Sequence, residues 1–368
     1  MTRILILGGT GYTGRPLTRL LLQHSDALLA LATRHLDKAQ ELADEWNGKF
    51  PGNRVSAVHA DAADPASLQT AFRGQDMVVV AAPTTAHAGT VIHACLEAGA
   101  DYLDVQLGAA KFALLQSLAG EIRQAGRCFI TEAGFHPGLP AALVRYAAAH
   151  LDTLTQATVV GYLNMGMDLP YTEAVSELVE MFKEYQSQVY TAGKWTRTGS
   201  YDMRRIDLGG DIGKKLCYSM FFEELRPLPQ LYPSLQELGF YLSETHWMVD
   251  WVIYPLAWAW LKVAPRAVGP IGRLLWWGMR NFHKPPQRIE LQVHTSGVKD
   301  GKPVDVRASI SHLDGYELTA IPVAAALLQY LDGSARKPGL WMMGHLAEPL
   351  RLFEDMQRMG AKNQVTLQ

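Results

Sequence analysis

The chain has 368 residues, 48% of them hydrophobic, and a formal net charge of −2, which suits a globular protein of about two domains. That balance excludes general nucleic-acid binding, which needs a strong basic excess. Cys95, Cys128 and Cys217 are too few and too scattered for a disulfide framework, so a reducing, cytoplasmic setting is expected.

The apolar run Ile4–Leu7 is too short for the core of a secretory leader and passes straight into Gly8-Gly9-Thr10-Gly11-Tyr12-Thr13-Gly14. An amphipathic segment follows, Pro16 to Gln23, and then a second apolar run, Ala27 to Ala32, closing on Thr33-Arg34. Gly9, Gly11 and Gly14 fit G-x-G-x-x-G between a strand and a helix, the setting that gives the motif meaning. The first glycine is expected to permit the turn, the second to admit a pyrophosphate, and the third to allow close packing. The helix start adds unpaired N–H groups and a positive dipole end. Residues 9–14 are thus expected to bind a dinucleotide.

An NAD site places Asp or Glu at the end of the second strand, to accept from the ribose 2′-hydroxyl. Here Thr33, Arg34 and His35 occupy that place, with Lys38 one turn on. A guanidinium can fork onto a 2′-phosphate that a carboxylate would repel, so NADP is expected, with Thr33, Arg34 and Lys38 at the adenosine ribose. A solvated loop cation is the plainer reading of Arg34 alone.

Further strands are predicted at 54–58, ending at Asp61, and at Met77–Ala82, Asp101–Val105 and Cys128–Thr131. Helices are predicted near 36–46, 65–73, 87–98 and 110–125. This alternation reads as a Rossmann-type doubly wound parallel sheet over 1–133, with ligands at its carboxyl edge. Asp61 would lie near the adenine, or else cap the helix after Pro65. Ala82, Pro83 and Thr84 would approach the nicotinamide half. His136, His87, Tyr102 and Glu132 lie near predicted sheet edges and are candidates for proton exchange, His because it titrates near neutrality. Against this, His87 could be an ordinary surface residue and Tyr102 an ordinary strand aromatic.

Beyond Gly134-Phe135-His136-Pro137-Gly138 the pattern changes. Gln156–Leu163 reads as a strand and 171–190 as a helix. Arg288–Ser296 and Val304–Ile310 alternate about the turn Lys299-Asp300-Gly301-Lys302, an antiparallel hairpin. A second, α+β domain over 134–315 with a one-sided, mostly antiparallel sheet is expected. Glu317–Leu331 is a predicted helix, and 316–368 is expected to return to the first domain.

Within 245–287 lie six of the nine tryptophans, Trp247, Trp251, Trp258, Trp260, Trp276 and Trp277. Between Trp251 and Ile289 there are six cations and no acid: Lys262, Arg266, Arg273, Arg280, Lys284 and Arg288. His246–Leu261 contains Asp250 and Pro255 and is too short to span a bilayer. Arg266, Arg273 and Arg280 recur at seven residues, with Gly269-Pro270 expected to interrupt the helix. A membrane surface or lipid entrance, a buried core or homodimer face, and a lid are three readings of this segment. No histidine or cysteine spacing suits a metal.

These motifs resemble the saccharopine dehydrogenase-like oxidoreductases over most of the chain. The resemblance rests on GTGYTGRP with ATRHLDKAQELA, on Pro83–His87 with His93–Asp104, on Ala133–Gly138, and on Tyr316–Ala320 and Lys337–Leu340. It implies a two-domain enzyme with the nicotinamide in a cleft between domains, transferring hydride to or from a small carbonyl, imine or enoyl substrate. His136 stands where that family usually carries Asp, and no arginine pair for an amino-dicarboxylate is evident. The expected substrate is therefore another compound, and the Trp-rich segment suits a hydrophobic one. A non-catalytic NADP(H) sensor would share the first domain. A short-chain dehydrogenase would use Tyr-x-x-x-Lys; Tyr190 and Lys194 have that spacing, but Gly193 between them argues that it is chance.

Overall fold

The computed structural model describes residues 1–164, 179, 187–199, 202–244, 246–264, 267–282 and 287–368. The chain opens with β1 (Arg3–Leu7), whose last four residues are buried. In α1 (Gly14–His24), Leu17, Leu20 and Leu21 recur at i, i+3 and i+4 and form its buried stripe. Next come β2 (Leu28–Thr33), α2 (Leu36–Lys49), β3 (Val55–His59) and α3 (Pro65–Phe72). Asp64, not Asp61, caps α3: its carboxylate accepts the Ala66 N–H at 3.0 Å. Asp61 instead accepts the Ala63 N–H at 3.0 Å within the preceding turn.

β4 (Met77–Val80), α4 (Ala88–Ala98) and β5 (Asp101–Asp104) follow. The single helix predicted over 110–125 is two, α5 (Ala109–Ser117) and α6 (Ala119–Gln124), divided at Leu118. β6 (Cys128–Thr131) and α7 (Leu139–Ala148) complete this part. Between them Gly138 has φ 121, and a Cβ there would lie 2.7 Å from both the Glu132 carbonyl oxygen and the Gly134 nitrogen. Only glycine fits so tightly wound a loop.

β7 (Thr153–Asn164) begins the second part. Of the helix predicted over 171–190, residues 171–178 and 180–186 lie outside the described residues, and its end is instead β8 (Gln188–Thr191). β8 turns through Ala192-Gly193 into β9 (Lys194–Arg197). Then come β10 (Met203–Asp207), β11 (Lys214–Met220) and β12 (Glu237–Ser243). After a π-helical turn at Val249–Ile253, helices run over Tyr254–Val263 and Val268–Asn281. Pro270 lies in the first turn of the second of these, where proline is tolerated, so Gly269-Pro270 does not interrupt it. Arg273 and Arg280 share this helix, whereas Arg266 and Lys284 lie outside the described residues.

β13 (Arg288–Lys299) and β14 (Lys302–His312) form the predicted hairpin, with Asp300 at φ 50 and Gly301 at φ 74 in its two-residue turn. A helix over Gly315–Leu331 leads to β15 (Gly339–Met342), and the chain then reaches β16 (Lys362–Leu367).

Two compact units result, Met1–Ala142 with Tyr316–Met359, and Leu143–Gly315 with Gly360–Gln368. The first holds a seven-stranded sheet ordered β15-β6-β5-β4-β1-β2-β3, parallel throughout. β15 adds a strand to the expected Rossmann order. It is tied in by Asp101, whose Oδ2 accepts from the Tyr330 hydroxyl at 2.6 Å and from Arg336 Nε at 3.1 Å.

The second unit holds a nine-stranded, mostly antiparallel sheet with the path β10-β11-β12-β7-β13-β14-β16. β16 thus belongs to this sheet, rather than returning to the first domain with the rest of 316–368. The sheet is covered on both faces at its centre, unlike the one-sided sheet expected. Glu290 and Gln292 of β13 are buried on the face that carries Val160, Tyr162 and Tyr241, beneath Leu208 and Ile212. Their polarity is absorbed locally: Gln292 Nε2 donates to the Leu208 carbonyl at 3.0 Å, and Arg288 pairs with the Glu290 carboxylate at 2.7 Å.

Candidate dinucleotide and active site

β1 ends in the glycine elbow. The residue that takes the left-handed turn is Gly8, at φ 89, not Gly9. A Cβ on Gly8 would lie 2.7 Å from the Ala82 Cβ, so the loops after β1 and β4 touch at the elbow. Gly9 packs on Leu31 of β2. A Cβ on Gly14 would fall onto the Gly8 carbonyl oxygen and lie 2.7 Å from the Gly9 Cα, the close approach expected of the third glycine. Gly11 differs: a Cβ there would meet only the Gly8 carbonyl oxygen, at 3.1 Å. The rest of the space around Gly11 is open.

The elbow leads directly into the N-terminus of α1. Thr13, at the N-cap of α1, makes no side-chain capping bond, although the Arg15 N–H is already taken by the Gly11 carbonyl at 3.0 Å and Pro16 has none to offer. Arg15 Nε donates to the Thr10 carbonyl at 3.0 Å and steadies the turn. Exposed Tyr12 stacks on Tyr316 with ring centroids 5.1 Å apart, and Arg19 makes a two-pronged pair with Glu317 at 2.9 and 2.7 Å. The helix over Gly315–Leu331 thereby borders the elbow, a relationship visible in sequence only as a family-like Tyr316-Glu317.

At the end of β2, Thr33 is half-buried and its hydroxyl accepts the His35 N–H at 3.3 Å. Arg34 and Lys38 are exposed, and no carboxylate among the described residues pairs with either. Two uncommitted cations therefore flank this edge. Asp61, half-buried after β3, spends one carboxylate oxygen on its own turn.

The sequence reading missed the residues that fix the loop after β4. Gln106 Nε2 donates to the Ala82 carbonyl at 2.8 Å and to the Thr84 hydroxyl at 3.0 Å. Its own N–H donates to Asp104 Oδ1 at 3.0 Å. Lys111 Nζ lies 2.5 Å from the same oxygen and also donates to the Gln106 carbonyl and to Thr131 Oγ1. Thr131 in turn donates to Asp104 Oδ2 at 2.8 Å. This closed network carries position from β5 and β6 to Ala82-Pro83-Thr84. The one sequence signal was the aspartate closing the Asp101–Asp104 strand; nothing marked Lys111, a helical lysine, as buried.

The four proton-exchange candidates fall in different places. His87 is exposed at the start of α4, its N–H donating to the Thr84 carbonyl at 2.8 Å. His136 is partly buried against Phe135, and burial pushes its imidazole down to about 4, so it is neutral at neutral pH rather than poised there as expected. Glu132 is buried with its backbone at φ 54, a left-handed conformation unusual for a non-glycine residue. Tyr102 lies in the core against Phe129, not at the edge. Burial, reinforced by Asp104, pushes its hydroxyl well above the usual range, which removes it from proton exchange. Tyr190 and Lys194 sit on opposite arms of the β8–β9 hairpin, so they share no helical face.

Taken together, the strand order and the uncapped glycine elbow define a dinucleotide-binding fold of the dehydrogenase type. Residues 4–129 match the saccharopine dehydrogenase NADP binding domain family, so the first domain is a saccharopine dehydrogenase-type NADP-binding domain, and its cofactor is NADP. The chain is 25% identical to carboxynorspermidine synthase from Vibrio cholerae over 61% of its own length and 59% of that protein's. It thus spans under two thirds of that curated relative. Its fold is similar to that of apo saccharopine dehydrogenase (L-Glu forming) from Saccharomyces cerevisiae, with a TM-score of 0.70 at 14% identity, covering 100% of both chains. The chain is therefore saccharopine dehydrogenase-like in fold.

Proposed function

We propose that the protein is an NADP-dependent oxidoreductase acting on a small carbonyl, imine or enoyl compound. The observation that carries this reading is the uncommitted guanidinium of Arg34, one residue beyond β2, in the sheet whose β1 ends in an uncapped glycine elbow. Arg34, with Lys38 nearby and Thr33 beneath, would hold the 2′-phosphate. Backbone N–H groups of Thr10, Tyr12, Thr13 and Gly14 would hold the pyrophosphate, that of Gly11 being taken by the Gly8 carbonyl at 2.8 Å. NADPH, when bound, supplies a hydride to the substrate.

The chain's own contribution is then orientation and a proton. Gln106 holds the Ala82-Pro83-Thr84 loop against which the nicotinamide half would rest. His87, exposed and joined to that loop through the Thr84 carbonyl, is the group best placed to exchange a proton with solvent. His136, neutral because it is buried, would act as a hydrogen-bonding or accepting group rather than as a cationic acid.

Calorimetric titration with NADPH and NADH tests the reading, followed by NADPH oxidation assays over carbonyl, imine and enoyl compounds. NADPH should bind more tightly than NADH, and at least one compound class should be turned over. Tight binding with no turnover of any class would favour the sensor. No binding of either dinucleotide would end the assignment.

A further inference from the structure

The paired helices over Tyr254–Val263 and Val268–Asn281 have two unlike faces. Their inner stripe, including Ile253, Ala257, Leu261, Ile271 and Leu275, forms a closed apolar cluster. Gly278 abuts Ile253, which brings the second helix hard against the π-helical turn. This half of the segment is core.

The outer face is not. Trp247 is 60% exposed, Trp251 49%, Trp258 51% and Trp277 52%, and Leu256 and Val263 stand out beside them. Seven of the fourteen large hydrophobic side chains exposed among the described residues fall within 247–277. Such concentration marks an interaction surface, since single exposed apolar residues are scattered on ordinary proteins.

Charge decides the kind of partner. Lys262 lies one turn after Trp258 with its ammonium 3.5 Å from the ring centroid. On the following helix Arg273, Trp277 and Arg280 are all exposed at spacings of four and three, hence on one side. The acid within 246–264, Asp250, accepts the Tyr218 hydroxyl at 2.7 Å, which directs it toward β11. Among the described residues of 246–282, the outer face is thus tryptophan and cation without an exposed carboxylate. That composition complements the anionic headgroup layer of a bilayer, where indole rings sit at the water boundary and each Lys or Arg adds attraction. No described helix is long and apolar enough to cross a membrane.

We propose that this face docks peripherally on anionic phospholipid bilayers, with the tryptophans seated among the headgroups and Lys262, Arg273 and Arg280 against lipid phosphates. The proposal stands apart from the cofactor reading, so either can fail without the other.

The test uses the full chain with vesicles of phosphatidylcholine alone and of phosphatidylcholine and phosphatidylglycerol in equal parts. Co-sedimentation is expected with the mixed vesicles only, lost at about 1 M salt, where charges are screened beyond about 3 Å. Arg273→Glu with Arg280→Glu should weaken partitioning by about 30-fold or more. Trp258→Ser with Trp277→Ser should abolish it while far-ultraviolet dichroism stays as in the parent. Tryptophan emission of the unmodified chain should be quenched by brominated lipid, which needs no variant. Absence of co-sedimentation, absence of quenching, or indifference of folded variants would overturn the proposal. So would lipid-free self-association that the tryptophan changes abolish, since the occupant would then be a second copy.

Discussion

Lys111 and Asp104 face one another with Nζ and Oδ1 2.5 Å apart, and solvent reaches neither side chain. Through Gln106 and Thr131 the pair fastens β5, β6 and the loop after β4 into one unit. Removing one partner strands the other charge in the interior. Lys111→Met should therefore lower stability in urea denaturation by about 3–5 kcal/mol. Adding Asp104→Leu to Lys111→Met should restore much of that loss; a double variant no better than the single one would show that the pair does not act as a unit.

Arg34 should set cofactor preference. Arg34→Glu is expected to weaken NADPH binding by about 10- to 100-fold, the range for hydrogen bonds to charged groups, while NADH binding changes little. Calorimetry with both dinucleotides checks this. Equal loss for the two would mean that Arg34 does not read the 2′-phosphate.

The elbow glycines should separate packing from binding. Gly14→Ala drives a methyl group onto the Gly8 carbonyl and should reduce stability by about 1–3 kcal/mol as well as dinucleotide affinity. Gly11→Ala, whose methyl meets only that carbonyl at 3.1 Å, should leave the melting temperature near the parent's and weaken NADPH binding alone. The contrast is the measurement, and similar melting curves for the two variants would contradict it.

Acid should destabilise the protein through histidines held neutral. Burial, helped by Arg307, pushes His294 down to about 4, and burial alone does the same to His136. On unfolding, each takes up a proton near the ordinary value of about 6.5, so the unfolded state binds more protons between the two values. Their stabilising contribution is complete above about pH 6.5 and is lost as pH falls toward about 4. Melting temperatures should drop across that window, and His294→Gln should flatten the drop. An unchanged slope would remove His294 as a cause.

His87→Ala should lower turnover by more than about 10-fold with little effect on NADPH affinity. A smaller fall in turnover would free His87 of any part in proton exchange.

How much of this could be read from the sequence depended on how local the signal was. Six parallel strands and the elbow were legible because Ile4–Leu7 and Met77–Val80 are apolar runs that end in turns, and the β13–β14 hairpin because Asp300-Gly301 dictates its own turn. β15 was not legible, since four residues after a proline gain strand character only from pairing with β6. The burial of Lys111 depends on Asp104 and Thr131, which lie on different strands. Tyr102 was misplaced for the opposite reason, because its position near a strand end hid the fact that it points into the apolar layer. The tryptophan segment divided cleanly once its helical faces were known, one face core and the other open.

The backbone passes between the two compact units three times, near residues 142, 315 and 359. Neither unit is encoded by one uninterrupted stretch, so a gene fragment ending at any single junction would omit a strand from one sheet or the other. During synthesis the parallel sheet must wait for β15, and the hairpin strand β14 must wait for β16 before its outer row of amides and carbonyls is matched. Completion of both sheets is thereby deferred until the chain beyond residue 338 has been made, long after their first strands.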